Sequence, residues 1–176
     1  PRATDLVDVA KKAVALARHR LERHGVRIEE RYPAAGPVRL FGDPNELQQV
    51  ALNLVLNAGD AISEKGGDAG TGAPDRGVVR IAVTMEGDAA ILEVADDGVG
   101  MTPEVQAQCF DFFFTTKAPG EGTGVGLAVV HNVVTNHGGR IDLSSEVGRG
   151  TTFRVVLPLE SSPSDAPAPA APAGAP

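Results

Sequence analysis

The sequence predicts an α+β domain, a two-layer sandwich with helices on one face of a single, mostly antiparallel sheet. Two observations point there. Apolar residues recur at helical spacing in two long stretches, while several shorter ones alternate apolar and polar residues with period two. These helical and strand patterns fall in segregated runs, and no internal repeat is visible.

In chain order, Asp5 caps a helix running to about His24, with Leu6, Val9, Ala13 and Leu16 on its apolar side and Gly25 as its stop. Val26 to Tyr32 reads as a strand, Pro33 to Pro37 as a turn and Val38 to Phe41 as a short strand. Asp43-Pro44 then starts a long helix with a cap followed by proline at its first position, and this helix ends near Lys65. Gly66 to Gly77 is a flexible loop, and Val78 to Met85 with Ala90 to Asp96 form an antiparallel pair turning at Glu86-Gly87-Asp88. Gly98 to Gly122 is irregular apart from a short helix at Pro103 to Gln108, as expected of a lid or binding loop. A second amphipathic helix covers Gly124 to His137. A last hairpin carries Ile141, Leu143, Phe153, Val155 and Leu157 around Val147-Gly148-Arg149-Gly150.

Composition narrows the function. Residues 1–160 are one domain's worth of chain, whereas 161–176, nearly all Pro, Ala, Ser and Gly, read as a disordered tail or linker. The 42% hydrophobic and 4% aromatic content implies a core of Val, Leu, Ile and Ala. A net charge of -7 without a basic cluster argues against nucleic-acid binding. The single cysteine, Cys109, excludes an intramolecular disulfide and a cysteine-based metal site, and suits a reducing, cytoplasmic compartment. No signal peptide or bilayer-spanning apolar run is visible, so no membrane contact is expected of this domain. A start at Pro1 instead of Met suggests a piece of a larger protein.

Three stretches could carry chemistry. On the long helix, Glu46, Gln49, Asn53, Asn57 and Asp60 form a narrow polar stripe, with Leu52 and Leu56 beyond it and a broad apolar face on the other flank. Amides one turn apart between apolar walls look like the floor of a pocket, where they need partners. In the strand ending at Asp96, Leu92, Val94 and Asp96 share a side, which puts a carboxylate at the edge of the core. Asp96-Asp97-Gly98-Val99-Gly100 follows as D-x-G-x-G; alone, it reads more readily as a strand ending in an Asp-Gly turn. Gly122-Thr123-Gly124-Val125-Gly126-Leu127 runs into a helix start. Glycine costs roughly 1 kcal/mol inside a helix, so its repetition there fits either a hinge or an anion site of exposed N–H groups. No Walker or dinucleotide-binding pattern surrounds it.

Taken in order, the Asn stripe, D-x-G-x-G, the lid Phe113-Phe114-Thr115-Thr116-Lys117 and the glycine run resemble the Bergerat-fold ATP-binding domain. That domain is shared by sensor histidine kinases, gyrase-type topoisomerases, mismatch-repair proteins and a chaperone class. The segments LNLVLNAGDAI, ADDGVGM, FFTTKAPGEGTGVGL and HGGRIDLSSEVGRGTTF are most similar to histidine kinases of the nitrogen-regulatory type. The resemblance runs from about Asp5 to Leu159 and implies ATP and Mg²⁺ as cofactors. It places Asn57 at the Mg²⁺ ligand, Asn53 at a second amide facing phosphate or metal, and Asp96 at the acceptor of the adenine amino group. Gly98 and Gly100 would shape the adenine pocket, with Thr151 as a nearby hydroxyl. Thr116 and Lys117 would be lid contacts, Lys117 toward the γ-phosphate, and Gly122, Thr123, Gly124, Val125, Gly126 and Leu127 the phosphate cradle.

Hydrolytic relatives carry a Glu one turn before the metal-binding Asn, as general base for water. Asn53 cannot take up a proton there, and Glu46 lies about 16 Å before Asn57 along the axis, so transfer to a protein nucleophile is favoured. Phe112 stands where similar lids often have Pro, and Asp60 where many sensor kinases have a basic residue, which shifts phosphate neutralisation onto Mg²⁺, Lys117 and the helix N-terminus. None of His19, His24, His131 and His137 is followed by an acidic residue, as an acceptor His typically is; they read as structural or surface residues, with His137 at a helix end that favours imidazolium. The resemblance therefore implies an acceptor on a separate dimerisation domain, a homodimeric full-length kinase and a downstream response regulator. A nucleotide-sensing module without turnover, or a protein-serine kinase of the anti-sigma type, are the alternatives on the same fold.

Overall fold

The computed structural model describes residues 1–66, 75–120 and 122–159. The tail at 161–176 and most of the loop after the long helix lie outside the described residues. Among them the element order is β1 (Arg2–Asp5), α1 (Leu6–Arg23), β2 (Val26–Arg31), β3 (Arg39–Gly42), α2 (Pro44–Lys65), β4 (Gly77–Glu86), β5 (Ala89–Asp96), α3 (Pro103–Gln108), α4 (Gly126–Asn136), β6 (Arg140–Glu146) and β7 (Gly150–Pro158).

The expected two-layer α+β architecture is present. Among the described residues five strands form a sheet in the order β2-β4-β5-β7-β6, with only β2–β4 parallel. The inward-facing residues of β4, β5 and β7, among them Ile81, Val83, Leu92, Val94 and Val155, join one core with residues of α1, α2 and α4. That core is almost wholly Val, Leu, Ile and Ala, with Phe153 as its aromatic member.

The expectation of a single sheet needs one correction. β1, not foreseen, pairs antiparallel with β3 as a separate two-stranded ribbon. Its buried Thr4 donates from Oγ1 to the carbonyls of Arg2 and Gly42 at 3.0 and 3.1 Å, which secures a strand too short to show alternation. Asp5 Oδ1 accepts from the N–H groups of both Val7 and Val38, so the cap of α1 also anchors this ribbon.

β5 lies in the middle of the sheet and ends at Asp96, and the turn that follows lies against Ala61 near the C-terminal end of α2. Opposite it, α4 packs against α2. The space between α2, the end of β5 and the start of α4 is where the three sequence motifs meet.

Candidate nucleotide-binding site

α2 forms because Asp43 caps it: Oδ1 accepts from the N–H groups of Asn45 and Glu46, and Pro44 occupies the first turn. Leu47, Val50, Ala51, Leu54, Val55, Ala58 and Ile62 bury its apolar face. Its polar stripe then fronts a cavity of about 340 Å³ lined by Asn53, Asn57 and Asp60. Asn53 Nδ2 donates to the Gly126 carbonyl at 3.3 Å, so this amide also ties α2 to the start of α4. The Asn57 carboxamide reaches the cavity one turn later and, among the described residues, makes no hydrogen bond with the protein.

At the other end, Asp96 finishes β5 opposite Thr151. Burial pushes its carboxyl up to about 6, although hydrogen bonds from the Gly98 and Thr151 N–H groups pull the other way. The D-x-G-x-G turn is locked in place: Val99 N–H donates to Ala61 O at 3.1 Å, and Lys65 Nζ donates to the carbonyls of Asp97 and Gly148 at 2.9 Å. Gly98 does not line the cavity. It lets the turn lie directly on α2, since a β-carbon there would stand 2.6 Å from the Ala61 carbonyl carbon. Gly100 and Thr151 do line the cavity. The Thr151 hydroxyl is paired at 2.8 Å with that of Ser145, which also accepts from the Met101 N–H.

The glycine run bends before it becomes helical. α4 starts at Gly126 and not at Gly124, because Gly124 takes φ +64 and abuts the backbone of Phe113, where any β-carbon would approach within 2.5 Å. α4 has no side-chain cap, which leaves its first N–H groups to an incoming anion. Gly122, Thr123, Gly124, Gly126 and Leu127 line the cavity, whereas Val125 precedes the helix without lining it.

The lid closes the remaining side. Thr116 and Lys117 line the cavity as expected, but Lys117 does not extend freely toward the phosphate end. Its Nζ is paired with Asp60, whose other oxygen accepts from Arg20 Nη2 at 2.8 Å. Arg20 belongs to no motif, and neither it nor the apolar walls Val99, Met101, Val105, Phe114 and Phe153 stood among the expected site residues. Cys109 is part of the wall, and burial pushes its thiol up to about 11, so it is not poised as a nucleophile.

None of the four histidines lines this cavity. His137 clasps α4 to the cap of α2: its Nε2 accepts from Asp43 N–H at 3.0 Å and its Nδ1 lies 2.8 Å from Val133 O.

A half-buried acceptor at the end of a central strand and an uncapped helix N-terminus across a helix-floored cavity suit opposite ends of one ligand, a base and a polyphosphate. The domain is of the nucleotide-binding class. The chain belongs to the histidine kinase-, DNA gyrase B- and HSP90-like ATPase family, which matches residues 42–161. It is 43% identical over 128 residues to the sensor histidine kinase ZraS of Klebsiella oxytoca, covering 72% of this chain and 25% of ZraS. It is 39% identical over 153 residues to the sensory histidine kinase/phosphatase NtrB of Azospirillum brasilense, covering 82% of this chain and 37% of NtrB. The chain thus spans between a quarter and somewhat over a third of the length of these relatives. Among solved structures, the mycobacterial sensor histidine kinase MprB superposes with a TM-score of 0.71 at 26% identity over 89% of this chain and 96% of that one. Full-length ShkA, in complex with AMPPNP, superposes with a TM-score of 0.74 at 25% identity over 91% of this chain and 31% of ShkA.

Proposed function

We propose that these residues form the catalytic ATP-binding domain of a two-component sensor histidine kinase, which transfers the γ-phosphoryl group of Mg-ATP to a histidine on a separate dimerisation and phosphoacceptor domain. The observation that carries this reading is Asn53. At the place where a hydrolytic relative has a Glu base, this chain has an amide that donates to the Gly126 carbonyl. It cannot deprotonate water, whereas an imidazole nitrogen needs no base to attack phosphorus.

The remaining roles follow from position. Asp96 accepts from the adenine amino group, and Gly100 and Thr151 flank the base. The N–H groups that open α4 receive the phosphates. The donor set fits Mg²⁺: Asn57 offers a neutral oxygen, and among the described residues there is no cluster of three or more acidic, His or Cys side chains that would form an all-protein cage. Such a site suits an ion that keeps several waters and takes its other oxygens from phosphates. When bound, Mg²⁺ supplies neutralisation of the charge on the transferring phosphoryl group. In the transfer, the bond from the γ-phosphorus to the β–γ bridging oxygen breaks, a bond to the acceptor nitrogen forms, and ADP leaves.

On this reading the acceptor lies outside this domain, which is supported by the absence of any of the four histidines from the cavity lining. The parent protein on this reading is a homodimer that passes its phosphoryl group to a response regulator, with this domain in the cytoplasm. Among the described residues no helix is long and apolar enough to cross a membrane.

The test is to incubate the chain with γ-labelled Mg-ATP and a phosphoacceptor domain from a similar kinase such as NtrB. Acid-labile, alkali-stable label on the acceptor domain is expected. Acid-stable label would point to a serine kinase, and nucleotide binding without any label to a sensing module.

A further inference from the structure

Arg20 lies outside every motif of the site, yet its guanidinium reaches the cavity. α1 and α2 approach closely where Gly59 faces Leu21: a β-carbon on Gly59 would stand 3.0 Å from Leu21 Cγ. That approach brings the next-door residues together, and Arg20 Nη2 donates to Asp60 Oδ1 at 2.8 Å. The other carboxylate oxygen, Oδ2, accepts from Lys117 Nζ in the lid. One side chain therefore joins α1, α2 and the lid, one helical turn beyond Asn57 on the cavity floor.

This arrangement has a consequence for a polyanionic ligand. Asp60 and Glu64 both line the cavity, and an unpaired carboxylate there would repel phosphates. Pairing with two cations removes that repulsion, but it also commits part of the Lys117 charge to a carboxylate. A nucleotide must compete with Asp60 for Lys117.

We propose that Asp60 is a positioning residue that latches Lys117, and with it the lid, onto α2 when nucleotide is absent, and that Arg20 orients the Asp60 carboxylate for this. When polyphosphate enters, Lys117 transfers to it, and Arg20 stays to neutralise the carboxylate left beside the phosphates. The inference rests on the cavity's being an Mg-ATP site, but the latch itself is measurable without nucleotide. Asp60 and Lys117 side chains are 27% and 30% exposed, so the pair belongs to the weak, solvent-screened class. Its loss changes the lid's opening equilibrium by about two- to fivefold.

Amide hydrogen exchange of the nucleotide-free chain tests the latch. Lid amides between residues 114 and 120 should exchange about two- to fivefold faster in Asp60→Asn and somewhat faster in Arg20→Gln, with Arg20→Lys restoring the native rate and α4 unchanged throughout. Unchanged lid exchange in Asp60→Asn overturns the proposal. A cycle of Asp60→Asn and Lys117→Gln on Mg-ATP affinity is the second readout. Asp60→Asn should tighten binding more when residue 117 is Lys than when it is Gln. An equal gain in both backgrounds would mean simple repulsion and would also overturn the latch. If no variant binds Mg-ATP, the nucleotide reading falls instead, and the exchange result alone decides the latch.

Discussion

Asn53 Nδ2 donates to the carbonyl oxygen of Gly126 across 3.3 Å, joining the middle of α2 to the first residue of α4. The amide, which cannot itself act as a general base, is thus also a brace that sets the helix N-terminus against the cavity floor. Asn53→Ala removes the brace without touching the core. Mg-ATP affinity, measured by calorimetry, should fall about tenfold, in line with the loss of one partly buried hydrogen bond and a loosened anion site. The melting temperature should fall by no more than a few degrees.

Asp96 sets function against stability. Its folded-state carboxyl sits at about 6, above the ordinary 3.8, because burial disfavours the charged form. The folded chain therefore binds this proton more tightly than the unfolded chain does. The resulting stabilisation is full below pH 3.8 and is lost as pH rises through about 6. At pH 7 the charged group costs about 1–2 kcal/mol after allowance for solvent screening. Asp96→Asn should recover that stability in urea denaturation at pH 7 and flatten the profile between pH 4 and 6.

Nucleotide affinity should move the opposite way. The adenine amino group needs an acceptor, so ATP binding should strengthen as pH rises through about 6 and level off above it. In Asp96→Asn, a donor replaces one acceptor oxygen, and affinity at pH 7.5 should fall about 10–100-fold, the range for a charge-assisted hydrogen bond. Fluorescence titration of a labelled ATP analogue across this pH range checks both.

His137 clasps α4 to the cap of α2. Its ring joins Asp43 N–H to Val133 O, and its side chain is only 8% exposed. His137→Ala leaves the Asp43 N–H without its partner and should cost about 1–3 kcal/mol in denaturant unfolding. Phosphotransfer to a supplied acceptor domain, compared below the melting temperature, should be retained.

What could be read from the sequence is what is local. The D-x-G-x-G turn, the glycine run and the Asn53–Asn57 spacing each carry their meaning within a few residues, and the structure places them around one cavity. The long helix ends at Lys65, as its cap, proline and apolar face, all in the sequence, predict. What escaped depends on distant partners. β1 has no alternation of its own and exists because Thr4 meets Gly42. Arg20 looks like any exposed helix residue until Asp60, far along the chain, lies beside it. His137 reads as a helix end until Asp43 supplies the N–H that makes it an acceptor. Gly98 and Val125 fall within motifs but not within the cavity lining, since a motif fixes a backbone path and not which atoms face the ligand.

Asn57 is the most direct residue to test, because its carboxamide lines the cavity floor and, among the described residues, makes no hydrogen bond with the protein. Label transfer from Mg-ATP to a phosphoacceptor domain should be measured for the native chain and Asn57→Ala under identical conditions, with acceptor-free ATP hydrolysis as the parallel readout. Acid-labile phosphorylation by the native chain, a loss of at least about 100-fold in Asn57→Ala, and negligible hydrolysis without acceptor in either are expected. Undiminished transfer by Asn57→Ala, or rapid acceptor-free hydrolysis by the native chain, would contradict the proposed function.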